Sequence, residues 1–120
     1  MALAVGFNKR ARLIKAEEYT RVFNKAHRSR DQYFTVLARS KENGQARLGL
    51  AVSKKKAKKA VSRNRLKRII RESFRLSQDI IVSADYVVMA QQSSDNISNK
   101  QLFLSLEKHW QNLKIQCADS

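Results

Sequence analysis

Eleven lysines and arginines and a single acid, Glu72, lie between Lys54 and Arg75. If residues 57–76 form a helix, successive positions turn by ~100°, and Asn64, Lys67, Arg68, Arg71 and Arg75 share one arc. Leu66, Ile69 and Ile70 fall opposite, with Phe74 on the same side. Arg63 and Arg65 flank the arc, and Lys54, Lys55, Lys56, Lys58 and Lys59 lead into it. The chemistry open to such a surface is recognition of a polyanion. Guanidinium forks match phosphate, clustered lysines add sequence-independent attraction, and Asn64 can reach a base edge or a 2′-hydroxyl. An ordinary solvated helix face would mix signs to limit repulsion between residues four apart, and this one barely does. A membrane-surface helix would need its apolar face free, whereas Leu66, Ile69 and Ile70 read as core contacts.

Covalent chemistry finds no comparable arrangement. Phosphodiester hydrolysis by side chains takes clustered carboxylates holding metal ions, or paired histidines. The ten acids are scattered, His27 and His109 are far apart in sequence, Cys117 stands alone, and no glycine-rich phosphate loop or zinc-ligand spacing occurs. His109 falls on the inner face of the last helix, where a packed histidine is the commoner role than a base. No catalytic residue, metal ligand or intrinsic cofactor is assigned to the polypeptide.

The elements that must position the basic surface are legible from periodicity. Tyr19, Val22, Phe23 and Ala26 form one stripe of a first helix, Ala16 to Ala26, whose Glu17 and Glu18 suit its positive end. The polar stretch His27–Asp31 reads as a loop. Tyr33–Ala38 and Arg47–Ser53 read as strands, and Asn43-Gly44 between them suggests an antiparallel hairpin. Asp85–Ala90 is a short apolar run suited to a strand buried on both faces. Ser98 with Gln101 makes a capping box for a last helix whose inner face is Leu102, Phe103, Leu106, Trp110 and Leu113. The expectation is an α+β sandwich with helices on a small sheet. It divides into a basic arm over 1–15, one domain over 16–113 that carries the polyanion-binding surface, and a flexible tail over 114–120.

Composition limits the alternatives. A chain of 120 residues with 42% apolar residues holds one core. Its net charge of +15 is uneven: residues 1–75 carry 22 basic and five acidic residues, while 76–120 carry three and five. That asymmetry marks one dedicated basic face, with nucleic acid as the first candidate partner. The lone cysteine suits a reducing compartment. The apolar start, Met1–Phe7, is followed by Lys9, Arg10 and Arg12, the reverse of a secretory signal, and no apolar run nears the ~20 residues of a membrane span. A cytoplasmic protein without a membrane partner is expected.

Gly49-Leu50-Ala51-Val52-Ser53-Lys54-Lys55, followed by Ala60-Val61-Ser62-Arg63-Asn64-Arg65-Leu66-Lys67-Arg68-Ile69-Ile70-Arg71-Glu72-Ser73-Phe74-Arg75, resembles the bacterial ribonuclease P protein subunit. Arg12-Leu13 and Tyr19-x-x-Val22-Phe23 look like that family's first helix, and the likeness runs from about Phe7 to Gln91. It implies an α-β-β-β-α-β-α domain with a left-handed βαβ crossover, and on that pattern His27–Asp31 would be the first strand. It also implies work with a catalytic RNA that removes the 5′ leader of precursor tRNA, with Mg²⁺ held mainly by the RNA and no protein partner required. Carried onto this chain, Arg63, Asn64, Arg65, Lys67, Arg68, Arg71 and Arg75, with Lys54 and Lys55, are the catalytic-RNA contacts. Tyr19, Phe23 and Val36, edged by Lys67 and Arg71, would line the leader cleft. Rival readings are a ribosomal or other structural RNA-binding protein, a helix-turn-helix DNA binder, which needs a second helix close by, and an autonomous nuclease.

Overall fold

A computed structural model describes residues 16–41, 44–52, 59–91, 94 and 96–118. The elements run α1 (Ala16–Asn24), β1 (His27–Arg30), β2 (Phe34–Ser40), β3 (Arg47–Ala51), α2 (Ala60–Leu76), β4 (Ala84–Ala90) and α3 (Asn99–Ala118). The α-β-β-β-α-β-α order and the α+β class are as expected. The basic arm, Lys54, Lys55 and Asn43 lie outside the described residues.

Sheet order is β1-β2-β4-β3, with β3 parallel to β4 and the other pairs antiparallel. The expected β2–β3 hairpin is therefore wrong: β4 lies between them. Its Val87 and Val88 are both fully buried, so this apolar strand takes a central place with a neighbour on each side. The connection after β2 is stitched across the start of β4. The Lys41 amide donates to the Ser83 carbonyl at 3.1 Å, and Ser83 Oγ donates to the Gly44 carbonyl at 2.9 Å. Gly44 takes φ 102°, a left-handed conformation that suits glycine, but the bend it makes carries the chain over β4.

The true hairpin is β1–β2, so the reading of His27–Asp31 as a loop gives way to the strand that the family resemblance implies. Asp31 Oδ1 accepts the amides of Tyr33 and Phe34 at 2.8 and 2.9 Å, an Asx turn that closes the hairpin. The polar His-Arg-Ser-Arg sequence is a strand because only Ser29 faces inward and is buried, while Arg28 and Arg30 alternate outward into solvent.

On the inner face of the sheet, Phe34, Val36, Ala38, Leu48, Tyr86 and Val88 meet Leu66, Ile70 and Phe74 of α2 and Leu102, Leu106, Trp110 and Leu113 of α3. Phe74, Tyr86 and Trp110 form an edge-to-face triad with centroids 5.6 to 5.8 Å apart. Ser73, the polar interruption in the α2 stripe, accepts the Trp110 indole N–H at 2.9 Å. Phe103 is only partly buried. Ser98 Oγ caps α3 by accepting the Gln101 amide at 3.2 Å. The helix does not end at Leu113: residues 114–118 continue it and Cys117 packs on the core, so the described part of the expected tail belongs to the domain. On the outer face, Val22 of α1 covers Leu37 and Val87, with Tyr19, Ala26 and Met89 around them.

Polar contacts tie α3 to the β1–β2 hairpin. His109 is packed, as expected, and Ser29 Oγ lies 2.6 Å from its Nδ1. Ser29 Oγ also accepts from Asn112 at 3.3 Å, and the imidazole turns its other nitrogen, Nε2, towards Asp31. That nitrogen lies 3.3 Å from Asp31 Oδ2, oriented so that no hydrogen bond forms. Ser105 Oγ donates to the same carboxylate. Burial pushes the His109 imidazole below its ordinary 6.5 against the pull of Asp31. Burial raises the Asp31 carboxyl, but the hydrogen bonds from Ser105, Phe34 and Tyr33 outweigh it and hold it below 3.8.

These shifts set separate pH windows. Below pH 6.5 the unfolded chain takes up a proton that folded His109 resists, so stability falls with acidification from there. The depressed Asp31 contributes stability above 3.8 and loses it as pH falls through its lower folded value. The urea midpoint of the wild type is therefore expected to fall between pH 7 and pH 5 more steeply than that of His109→Gln; parallel profiles would remove His109 as the responsible group.

Candidate nucleic-acid interface

α2 is amphipathic because its apolar residues recur at helical spacing and bury Leu66, Ile69, Ile70 and Phe74. The same geometry leaves Asn64 and Arg68 exposed, with Arg63, Arg65, Lys67, Arg71 and Arg75 partly so. The first turn contains no acid and has no side-chain cap, so the positive end of the helix dipole adds to the nearby cations. Val61, Asn64, Arg65 and Arg68 line a shallow hollow of about 290 Å³ on this surface.

The cations of the arc are not equivalent. Arg65 donates from Nε to Asn99 Oδ1 at 3.0 Å and from Nη2 to the Ile97 carbonyl, fastening the start of α3 to α2. Arg75 pairs with Glu72 one turn away. The Lys67, Arg68 and Arg71 side chains make no hydrogen bond or ion pair with the described residues. Elsewhere, Asp85 engages two cations: Arg47 grips it with both Nε and Nη2, at 3.0 and 2.8 Å, and Lys41 Nζ approaches at 3.1 Å. Burial raises the Asp85 carboxyl, yet these bonds from Arg47 and Lys41 bring it below the ordinary value.

Tyr19 and Phe23 lie on the outer face of the sheet with α1. A Cβ on Gly49 would stand 2.8 Å from the Tyr19 ring, so glycine at this strand position lets the ring rest on β3. Phe23 is 51% exposed, a large ring left open beside that surface. Val36 is not with them. It is fully buried on the inner face, because successive strand residues point to opposite sides; the residue of β2 that packs with α1 is its neighbour Leu37.

Sequence reading also missed Arg28 and Arg30, hidden in a stretch whose polarity suggested a loop. Among the described residues no three histidine, cysteine, aspartate or glutamate side chains converge on a metal site. The Ser29–His109–Asp31 cluster has the group types of a nucleophile, base and acid, but Ser29 and His109 are buried, so a substrate cannot reach them. No helix among the described residues is long and apolar enough to cross a membrane.

Fold and surface together define a basic α+β protein whose cationic helix links two parallel neighbouring strands, with two helices packed on one sheet face and one short helix on the other. The ribonuclease P family profile matches residues 7–114. The ribonuclease P protein component of Vibrio parahaemolyticus is 47% identical over 107 residues, 89% of this chain and 91% of that protein. That of Photobacterium profundum is 45% identical over 91% of this chain and 92% of its own. Among solved structures, the Staphylococcus aureus RNase P protein superposes with a TM-score of 0.77 at 34% identity, covering 84% of this chain and 93% of that one. The Thermotoga maritima RNase P protein gives 0.77 at 28% identity, covering 86% and 97%. This chain belongs to the ribonuclease P protein family.

The two kinds of arginine predict separable mutants. Arg65→Ala is expected to lower stability by about 1–2 kcal/mol, since it removes hydrogen bonds made by a charged group, read as a shift in urea midpoint. Arg68→Ala should leave the midpoint within about 0.5 kcal/mol and reduce the slope of log affinity for RNA against log salt by roughly 0.7–0.9, the loss of one phosphate contact. A reversed pattern would contradict this division.

Proposed function

We propose that the chain acts as the protein subunit of ribonuclease P, binding the enzyme's catalytic RNA and the 5′ leader of precursor tRNA. Arg63, Asn64, Lys67, Arg68 and Arg71 would meet the catalytic RNA, with Lys54 and Lys55 extending the contact; Arg65 and Arg75 would hold the surface in shape and offer it charge. Tyr19 and Phe23 would form the leader platform, edged by Lys67 and Arg71, while Val36 and its neighbour Leu37 are both buried and take no part in it. The observation that carries this reading is the half-open outer face, where a short helix leaves an aromatic ring exposed beside a sheet. Base stacking on aromatic rings tolerates any sequence, which suits a leader that varies between tRNAs.

The chemistry would belong to the RNA. Mg²⁺ prefers oxygen ligands and retains water, and commonly binds through phosphates. Asp85, Asp31 and Glu72 fit that ion poorly, because they are already engaged by Arg47 and Lys41, by Ser105 and two amides, and by Arg75. The protein would contribute positive charge between two polyanions, lowering the Mg²⁺ needed for substrate binding, and would favour precursors over mature tRNA.

Phe23→Ala in the reconstituted RNA–protein enzyme tests the leader platform. Stacking is worth ~1–3 kcal/mol per base, so the preference for precursor over mature tRNA should fall by about tenfold, with catalytic-RNA affinity retained. An unchanged preference would favour a structural RNA-binding role without leader recognition.

A further inference from the structure

The outer face of the sheet ends in two arginines outside α2. Ser29, between them, is buried under α3, where it contacts His109 and Asn112, and Gln116 Nε2 donates to the Arg28 carbonyl at 2.9 Å. Three residues of one helix thus fix the strand, and its alternation sends Arg28 and Arg30 to the opposite side, that of α1. Both are exposed, and among the described residues neither meets an acid. Asp31, the acid next in sequence, is held by Ser105 and two amides.

Register extends this edge across the sheet. Arg28 lies opposite Leu37, which pairs with Val87 and then Gly49; Arg30 lies opposite Thr35, then Met89 and Ala51. The first row passes beneath Val22 and Tyr19 of α1. The second runs parallel to it. β1 and β3 are the two edges, about 14 Å apart at three interstrand spacings of ~4.8 Å. α2 packs against β3, so cations stand towards one edge, α1 aromatics in the middle and Arg28 with Arg30 at the other edge. Two residues along a strand span about 6.6 Å, a separation suited to successive phosphates of an extended single strand.

We infer that Arg28 and Arg30 form a second phosphate-binding site, which takes the backbone of the precursor leader after it has crossed the sheet beside α1, along the row of Met89 and Ala51. This rests on the leader reading above and extends it to a part of the leader farther from the cleavage point. Two arginines outward on an edge strand also disfavour pairing of that edge with a second copy, since like charges would face each other.

The test uses the enzyme reconstituted with ribonuclease P RNA, carrying either wild-type protein or Arg28→Gln/Arg30→Gln. Affinity is measured for mature tRNA, a precursor whose leader is too short to pass α1, and a long-leader precursor. The double substitution is expected to weaken long-leader binding about three- to tenfold and flatten its log–log salt slope by about 1.4, two single-strand phosphates. Lysine at both positions should restore the slope. Equal losses for short and long leaders, or no loss in a folded variant, would overturn the site. Weaker binding of the ribonuclease P RNA itself would also overturn it, placing the arginines against that RNA. A wild-type enzyme indifferent to the presence of any leader would overturn the platform and this site together; a wild type that prefers leaders, with an unaffected double variant, would overturn only this site.

Discussion

β4 is buried on both faces, and most of the architecture follows from that constraint. Val87 and Val88 are adjacent and point in opposite directions, yet neither is exposed, so each side of the sheet needs a cover. The two covers are unequal. α2 and α3, with 17 and 20 residues, close the inner face around Trp110, Phe74 and Tyr86. α1 has nine residues, about 13 Å of helix at 1.5 Å per residue, enough to cover Leu37 and Val87 but not a four-stranded face. Phe23, on α1 itself next to the buried Val22, stays 51% exposed.

Charge is sorted by the same framework. A chain this basic would repel itself if every cation were left in solvent on one side. Asp85 on the central strand draws Arg47 from the edge strand and Lys41 from the loop that crosses β4, so two cations help to hold the strand order. Arg65 joins the helix carrying the basic arc to the helix that seals the core. Lys67, Arg68 and Arg71 on α2 and Arg28 and Arg30 on β1 are carried on rigid elements, and their side chains make no hydrogen bond or ion pair with the described residues. Rigid placement reduces the conformational entropy lost when a phosphate is bound.

Much of this was legible in the sequence where the signal is local. The α2 and α3 stripes, the Ser98 cap, the doubly buried β4 and the packed role of His109 follow from spacing and residue type. What could not be read depends on distant partners. Asn43-Gly44 suggested a hairpin, but the neighbour of β2 is decided by β4, some forty residues later in the chain. His27–Arg30 looked like a loop because an edge strand needs only its alternate residue, Ser29, to be buried. Val36 and Leu37 sit in a run buried on both sides, where no polar alternation tells which face is which, and a one-residue error exchanges core for cleft. Arg65 flanks the arc by angle, and only its approach to Ile97 and Asn99 reveals its structural bond.

In the proposed function this protein supplies binding surface while RNA supplies the chemistry. Cleavage of a precursor tRNA by bacterial ribonuclease P RNA at low Mg²⁺, with the protein, without it, and with the protein alone, tests that claim most directly. Cleavage at the mature 5′ end is expected only when both components are present. Cleavage by the protein alone, or no stimulation by a folded protein, would contradict it.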